Sequence, residues 1–218
     1  MLRARHHRVH QGLREDMACW DSHLEFLNGD RRVPIISYEV APEGCEVFLD
    51  AYARGGSGGV GVFVNGGFVD LSGEQCNEMF PELSSGVLMH RTLGGGQTAL
   101  PSTAANHWEL FAFIVLLRLF PEVISNRYIG VRSDSVAACT CVQSLHAGVD
   151  CVELAHLTRA VLSECVHLNC RLSTVHIAGV ANVLADPLSR DKWSEFGIEA
   201  STWVSHRHGV PSAFLVSL

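Results

Sequence analysis

Residues 45–71, CEVFLDAYARGGSGGVGVFVNGGFVDL, divide at their glycines into three short apolar runs. Glu46-Val47-Phe48-Leu49-Asp50 predicts a strand that ends in an acid, and Gly55-Gly56-Ser57-Gly58-Gly59 reads as a loop. Val60-Gly61-Val62-Phe63-Val64 predicts a second strand. Asn65-Gly66-Gly67 is a hairpin signal, because Asn and Gly accept the positive φ that tight turns demand. Phe68-Val69-Asp70-Leu71 returns as a third strand, so the three form an antiparallel meander.

Downstream the period changes. Residues 72–106 are loop-rich, with Gly94-Gly95-Gly96 and Pro101, and are long for a connection. Asn106 is placed to cap a helix over about 108–120, whose apolar run from Leu110 to Phe120 is interrupted by Arg118 and stopped by Pro121. That run is too short to span a bilayer. Tyr128 to Arg132 predicts a fourth strand, followed directly by Ser133-Asp134-Ser135. Helices are expected over Val136–Leu145 and Val152–His167, a fifth strand over Leu172–Ile177, and a short helix over Asn182–Arg190. Three antiparallel strands followed by alternating helix and strand imply an α/β fold with a five-stranded mixed sheet flanked by helices. Upstream, Leu13, Met17, Trp20, Leu24 and Leu27 recur at helical spacing and stop at Asn28-Gly29. The expected organisation is a helical connection segment over 1–42, the α/β domain over 43–192 and a tail over 193–218.

The chain has 218 residues, 16 Lys+Arg against 23 Asp+Glu, and a formal charge of −7. With 47% hydrophobic and 18% charged residues it is expected to be globular over most of its length. The acidic balance argues against a free-standing, tight, non-specific nucleic-acid binder, because that affinity comes from neutralising phosphates. It leaves open an enzyme that visits nucleic acid. Eight cysteines, at 19, 45, 76, 139, 141, 151, 165 and 170, form no CxxC pair and match no zinc spacing. The first ten residues are basic and His-rich, with no apolar stretch like that of a secretory leader. The expectation is therefore reduced, mostly buried thiols in an intracellular protein, cytoplasmic or nuclear.

Four acids occupy telling places. Asp50 ends the first strand, Glu109 opens the long helix after Trp108, Asp134 follows the fourth strand, and Asp186 lies in the last short helix. Only the fold could bring together residues so far apart. If the first and fourth strands are neighbours, Asp50 and Asp134 stand side by side. Crowded carboxylates repel and resist full ionisation. Divalent cations resolve that conflict, and hard oxygen ligands favour magnesium or manganese. A pair of such ions about 4 Å apart activates water and stabilises a leaving oxygen of a phosphodiester.

Each acid also has a bland explanation: a helix cap for Asp134, a first-turn acid for Glu109, a turn residue for Asp50, a solvated helix face for Asp186. At any one position the bland explanation is the better one. All four together favour a metal site. His176 at a strand end and Asn182 one turn before Asp186 are candidates to support the acids; for His176 a structural role is the favoured reading, and for Asn182 a capping role is equally good. His206-x-His208 and Cys139-x-Cys141 lack partners at zinc spacing, and the glycine loop lacks the Gly-Lys-Ser/Thr of a phosphate loop. Trp108, Phe111, Phe113 and Leu117 are expected in the core, and Arg3, Arg5 and Arg8 in a solvated tail.

The residues Phe48-Leu49-Asp50-Ala51, Trp108-Glu109-Leu110-Phe111-Ala112, Val131-Arg132-Ser133-Asp134-Ser135 and the stretch His176 to Arg190, HIAGVANVLADPLSR, together resemble a retroelement ribonuclease H domain. The last stretch is the most specific part, similar to an ending common in retrotransposon polyproteins. The resemblance covers about residues 44–192. A weaker likeness, over Leu13 to Asn28, is to the connection between reverse transcriptase and ribonuclease H in tyrosine-recombinase, DIRS-like retroelements. The resemblance implies a ribonuclease H-like fold and Asp50, Glu109, Asp134 and Asp186 as ligands of two Mg2+ (or Mn2+) ions. It also implies cleavage of the RNA strand of an RNA–DNA hybrid, and a reverse transcriptase polymerase domain as partner. The stretch after the third strand is longer than in compact cellular enzymes, and no polymerase motif is present, so the chain resembles a piece of a larger polyprotein. Two other readings are a catalytically inactive scaffold beside a polymerase and another nuclease or integrase of the same fold.

Overall fold

The computed structural model describes residues 45–80, 102–145 and 152–190 apart from 55, 56 and 66, together with 39–40, 192 and helical positions 14, 17, 18 and 21. The chain divides into two units, Met1–Ile36 and Ser37–Leu218. The helical positions of the first unit, Arg14, Met17, Ala18 and Asp21, fall in the stretch expected to be helical, and all four are exposed. The sheet and its helices belong to the second unit. Residues 1–10, 81–101 and 193–218, and with them His206, His208 and the triple glycine, lie outside the described residues, as do Cys19 and Cys151.

The meander forms as expected. β2 (Val47–Arg54) pairs antiparallel with β3 (Ser57–Val64), and β3 with β4 (Gly67–Ser72). β5 (Arg127–Ser133) lies parallel to β2, and β6 (Arg171–His176) parallel to β5. A two-residue β1 (Glu39–Val40), not expected from the sequence, pairs with the start of β5. The five main strands run in the order β4-β3-β2-β5-β6.

Strand alternation sorts the sheet into two faces. Val47 and Leu49, Val60, Val62 and Val64, Val69 and Leu71, and Ile129 and Val131 are all buried. Against them lies α2 (Ser102–Leu119), buried on every side from His107 to Leu117 because α5 (Val152–His167) packs on it as well. A helix that is apolar all round needs such a site. Trp108 and Phe111 meet edge to face at 6.0 Å, and both are buried with Phe113 and Leu117, as the sequence indicated. The opposite face of the meander is built from Phe48, Asp50 and Tyr52 with Gly59, Gly61 and Phe63.

Several expectations are corrected. The glycine stretch 55–59 is not a loop: pairing continues to Arg54 opposite Ser57, so only residues 55 and 56 lie between the strands. Asp50 accordingly stands inside β2, which runs on to Arg54. α2 begins at Ser102, because Ser102-Thr103-Ala104-Ala105 extends the helix through Asn106. Glu109 is therefore two turns in rather than in the first turn. The unread stretch after β4 contains α1 (Gly73–Met79), opened by a reciprocal cap in which the Gln75 amide N–H donates to the Ser72 hydroxyl and the Ser72 N–H to Gln75 Oε1.

A short turn, α3 (Pro121–Ile124), leads to β5, and α4 (Val136–Ser144) follows it. The single helix expected over 182–190 does not form. Gly179–Ala181 is a 3-10 turn, and only Asp186–Ser189 (α6) is helical, because the Asn182 side chain is drawn to β2 instead. The described cysteines 45, 76, 139, 141, 165 and 170 are free thiols, and 76, 139, 141 and 170 are buried.

Candidate metal centre

β5 ends at Ser133, opposite Leu49, while β2 continues past it. The end of β5 therefore opens a notch beside Asp50. Asp134 is the first residue beyond the strand and enters this notch. Glu109 reaches it from α2. One carboxylate oxygen from each of Asp50, Glu109 and Asp134 lies within 4.8 Å of the other two. Asp50 is buried at 2% exposure and Glu109 at 9%, while Asp134 is half-buried.

The bland explanations fail for these three acids. Ser135, not Asp134, caps α4, its hydroxyl accepting from the Ala138 N–H at 3.2 Å. Glu109 is far from the first turn of its helix. Asp50 is a strand residue, not a turn residue. Asp186 differs. It opens α6 half-exposed, and its Oδ1 accepts from Arg190 Nε at 2.8 Å and Nη2 at 2.7 Å. The Arg190 guanidinium also lies over the Tyr52 ring. Asp186 is near enough to raise the Asp50 pKa but is not within the close group of three.

Burial and mutual repulsion mark the group electrostatically. Asp50 is raised from 3.8 to about 7, chiefly by burial, opposed by the Ser189 hydroxyl and reinforced by Asp134 and Asp186. Glu109 is raised from 4.5 to about 9, again chiefly by burial and then by Asp50 and Asp134, against the Ala51 N–H and Arg190. Glu109 Oε2 is buried with no hydrogen-bond partner among the described residues. An orphaned carboxylate oxygen facing two other carboxylates is a donor set suited to a hard divalent cation. The residues present fit one.

The supporting candidates are placed as follows. Asn182 is fully buried, and its amide donates to the Leu49 carbonyl at 2.9 Å and to Asp50 Oδ1 at 3.3 Å. His176 is exposed at the end of β6, in register with Ser133. Ser133 is buried and accepts from the Ser135 N–H, a local turn contact. Cys139 and Cys141 are buried in α4. Sequence reasoning missed Ser189, whose hydroxyl donates to Asp50 Oδ2. It missed Gly59 and Gly61 too, where a Cβ would strike the backbone carbonyls of Ser189 and Ala185. Two glycines at alternate positions of a strand were the available signal, since such glycines mark close backbone approach.

No family model and no curated protein matches the chain. Solved structures do. An RNase H1 from the halophilic archaeon Halobacterium salinarum NRC-1 is 17% identical over 69% of this chain and 98% of its own, with a TM-score of 0.45. LC11-RNase H1, solved in complex with an RNA/DNA hybrid, is 17% identical over 70% and 98%, with a TM-score of 0.44. An N-terminal RNase H domain from Mycobacterium tuberculosis, solved as a fusion with maltose-binding protein, is 15% identical over 71% and 97%, with a TM-score of 0.42. The deciding observation is this chain's own topology: a three-strand meander, two further parallel strands on one side of it, and acids where its first strand meets the end of the next. The fold is ribonuclease H-like. No described helix is long and apolar enough to cross a membrane.

Proposed function

We propose that the chain is a divalent-cation-dependent endonuclease that cleaves the RNA strand of RNA–DNA hybrids, within the reverse transcription machinery of a retrotransposon. The observation that supports this above all is the convergence of Asp50, Glu109 and Asp134, from a strand, a helix interior and a strand end, into one buried group. These three would hold Mg2+ or Mn2+, with Asp186 as the fourth acid of a two-ion site. Bound cations supply Lewis acidity, lowering the pKa of a water and offsetting charge on the scissile phosphate.

The chain's own residues set the terms for this. Glu109 holds a proton at neutral pH that a cation must displace, and Asp50 is partly protonated there. The Ala51 N–H holds Glu109, and Ser189 with Asn182 holds Asp50. Hydrolysis of the RNA strand leaves a 5′-phosphate and a 3′-hydroxyl. Discrimination of hybrid from DNA rests on contact with 2′-hydroxyls in a wide minor groove. The polymerase domain of a reverse transcriptase is the expected partner.

One observation favours the alternative of an inactive scaffold: Arg190 already occupies Asp186. Cleavage of a labelled hybrid with Mg2+ and with Mn2+, comparing the intact chain with Asp134→Asn, decides between them. Hybrid-only cutting that vanishes in the variant supports the nuclease. A folded chain that cuts nothing with either ion supports the scaffold.

A further inference from the structure

Two residues between Gly179 and Arg190, Asn182 and Ser189, hydrogen-bond to the strand that carries Asp50. Asn182 is fully buried and spends both amide protons on β2, one on the Leu49 carbonyl and one on Asp50 Oδ1. Its own Oδ1 is buried with no partner among the described residues. Leaving such an atom unsatisfied is costly, so the donors on the other end of the amide must matter. Seven residues on, Ser189 donates to the other oxygen of the same carboxylate. Ser189 is itself buried at 4% exposure. Its hydroxyl has a single proton and a second acceptor within reach, the Asp186 carbonyl at 3.0 Å. The hydroxyl reaches both acceptors, and its bond to Asp50 is the one that ties α6 to the sheet.

Both oxygens of Asp50 are thus gripped by one segment. That grip is possible only because Gly59 and Gly61 let the α6 backbone rest on β3. The terminal torsion of an aspartate is broad, so a carboxylate without such donors turns freely about it. A cation needs a lone pair that points at it.

We propose that Ser189 is a positioning residue for the cation site, fixing the rotation of the Asp50 carboxylate so that one oxygen stays directed toward Glu109 and Asp134. The inference rests on reading those three acids as a cation centre. It assigns no chemistry to Ser189 itself, which acts through Asp50.

The test uses the full chain as wild type, Ser189→Ala and Ser189→Thr. Mg2+ binding is measured by calorimetry without nucleic acid, hybrid cleavage as a function of Mg2+ concentration, and melting temperature without cation. Loss of a group that orients a ligand costs 10- to 100-fold in metal affinity or activity, so the alanine variant should bind Mg2+ about tenfold more weakly. It should need correspondingly more Mg2+ for half-maximal cleavage, with the KM for hybrid at saturating Mg2+ unchanged. The threonine variant, which keeps the hydroxyl, should return toward wild type. Should the alanine variant fail to fold, Ser189→Cys, with similar volume and a weaker donor, takes its place. Wild-type Mg2+ affinity in the alanine variant, or equal loss in both variants when both are folded, overturns the proposal. A wild-type chain that binds Mg2+ but cuts no hybrid sinks the nuclease reading alone, since calorimetry still judges Ser189. A wild-type chain that binds neither Mg2+ nor Mn2+ overturns both.

Discussion

A carboxylate buried against two others, as Glu109 is, opposes its own ionisation. Its folded pKa of about 9 and that of Asp50 at about 7 both lie above the ordinary values. The folded chain therefore binds more protons than the unfolded chain between those limits. The stability these groups contribute is fully present below about pH 4 and is lost as pH rises through about 7 and then about 9. Glu109→Gln removes the charge and keeps an acceptor for the Ala51 N–H. In the absence of cation it should raise stability at pH 8 by on the order of 2 kcal/mol, with the gain shrinking toward pH 4.5. Thermal melts at the two pH values check this, and an unchanged or lowered melting temperature at pH 8 counts against the burial argument. The same variant should lose hydrolysis altogether. The four acids are also expected to differ in rank. Asp134→Asn should weaken Mg2+ binding by tenfold or more, whereas Asp186→Asn, already engaged by Arg190, should change it by no more than about threefold. Calorimetry on the pair checks the ranking, and equal losses would place Asp186 on the same footing as the close three.

At the scale of elements, the seat of α6 on β3 is what joins the last segment to the sheet. A methyl at Gly61 would meet the Ala185 carbonyl, the Ser189 N–H and Leu188 Cβ together, so backbone must move. Gly61→Ala should cost about 1–3 kcal/mol, as overpacking does, and lower Mg2+ affinity by displacing Asn182 and Ser189. Gly130→Ala on β5 is the control, with nothing within 4 Å of its added Cβ, and it should stay within about 0.5 kcal/mol of wild type. Denaturant melts of the two separate close approach from the general cost of altering a strand glycine. The same elements show what was legible in advance. β2, β3 and β4 follow from their apolar runs and the Asn-Gly turn, although the glycines hid the end of β2 and the start of β3. α5 follows from its 3.6-residue period. Asp50 and Asp134 followed from lying at a strand and just past one. The helix expected over 182–190 failed because a side-chain amide satisfied by another strand, Asn182 to Leu49, leaves no local trace. Ser189 was invisible for the same reason, since a serine near a short helix looks like any capping residue. The start of α2 was missed because Asn106 resembled a cap, although the Ala-rich stretch before it favours helix. The Ser72 and Gln75 cap of α1 was readable and went unread.

For the molecule as a whole, the charge of −7 bears on how a nuclease of this kind would hold its substrate. Affinity for a nucleic-acid backbone grows with the phosphates that Lys and Arg neutralise, and its logarithm falls with the logarithm of salt in proportion to that number. With acids outnumbering bases, 23 to 16, the chain alone should bind hybrid weakly and with a shallow salt slope. Cutting should then be limited by encounter, not by the arrangement of Asp50, Glu109 and Asp134. Joining the chain through a flexible linker to a separate basic hybrid-binding domain raises the effective concentration of substrate, an effect worth about 100-fold or more when the linker spans the two sites. The expected result is a KM for hybrid lowered by at least about tenfold with kcat within about twofold. Steady-state kinetics of the free and joined forms at two salt concentrations check this. A free chain with a steep salt slope and a KM unmoved by the added domain would mean that its own surface carries the substrate, and the case for dependence on a polymerase partner would fall with it.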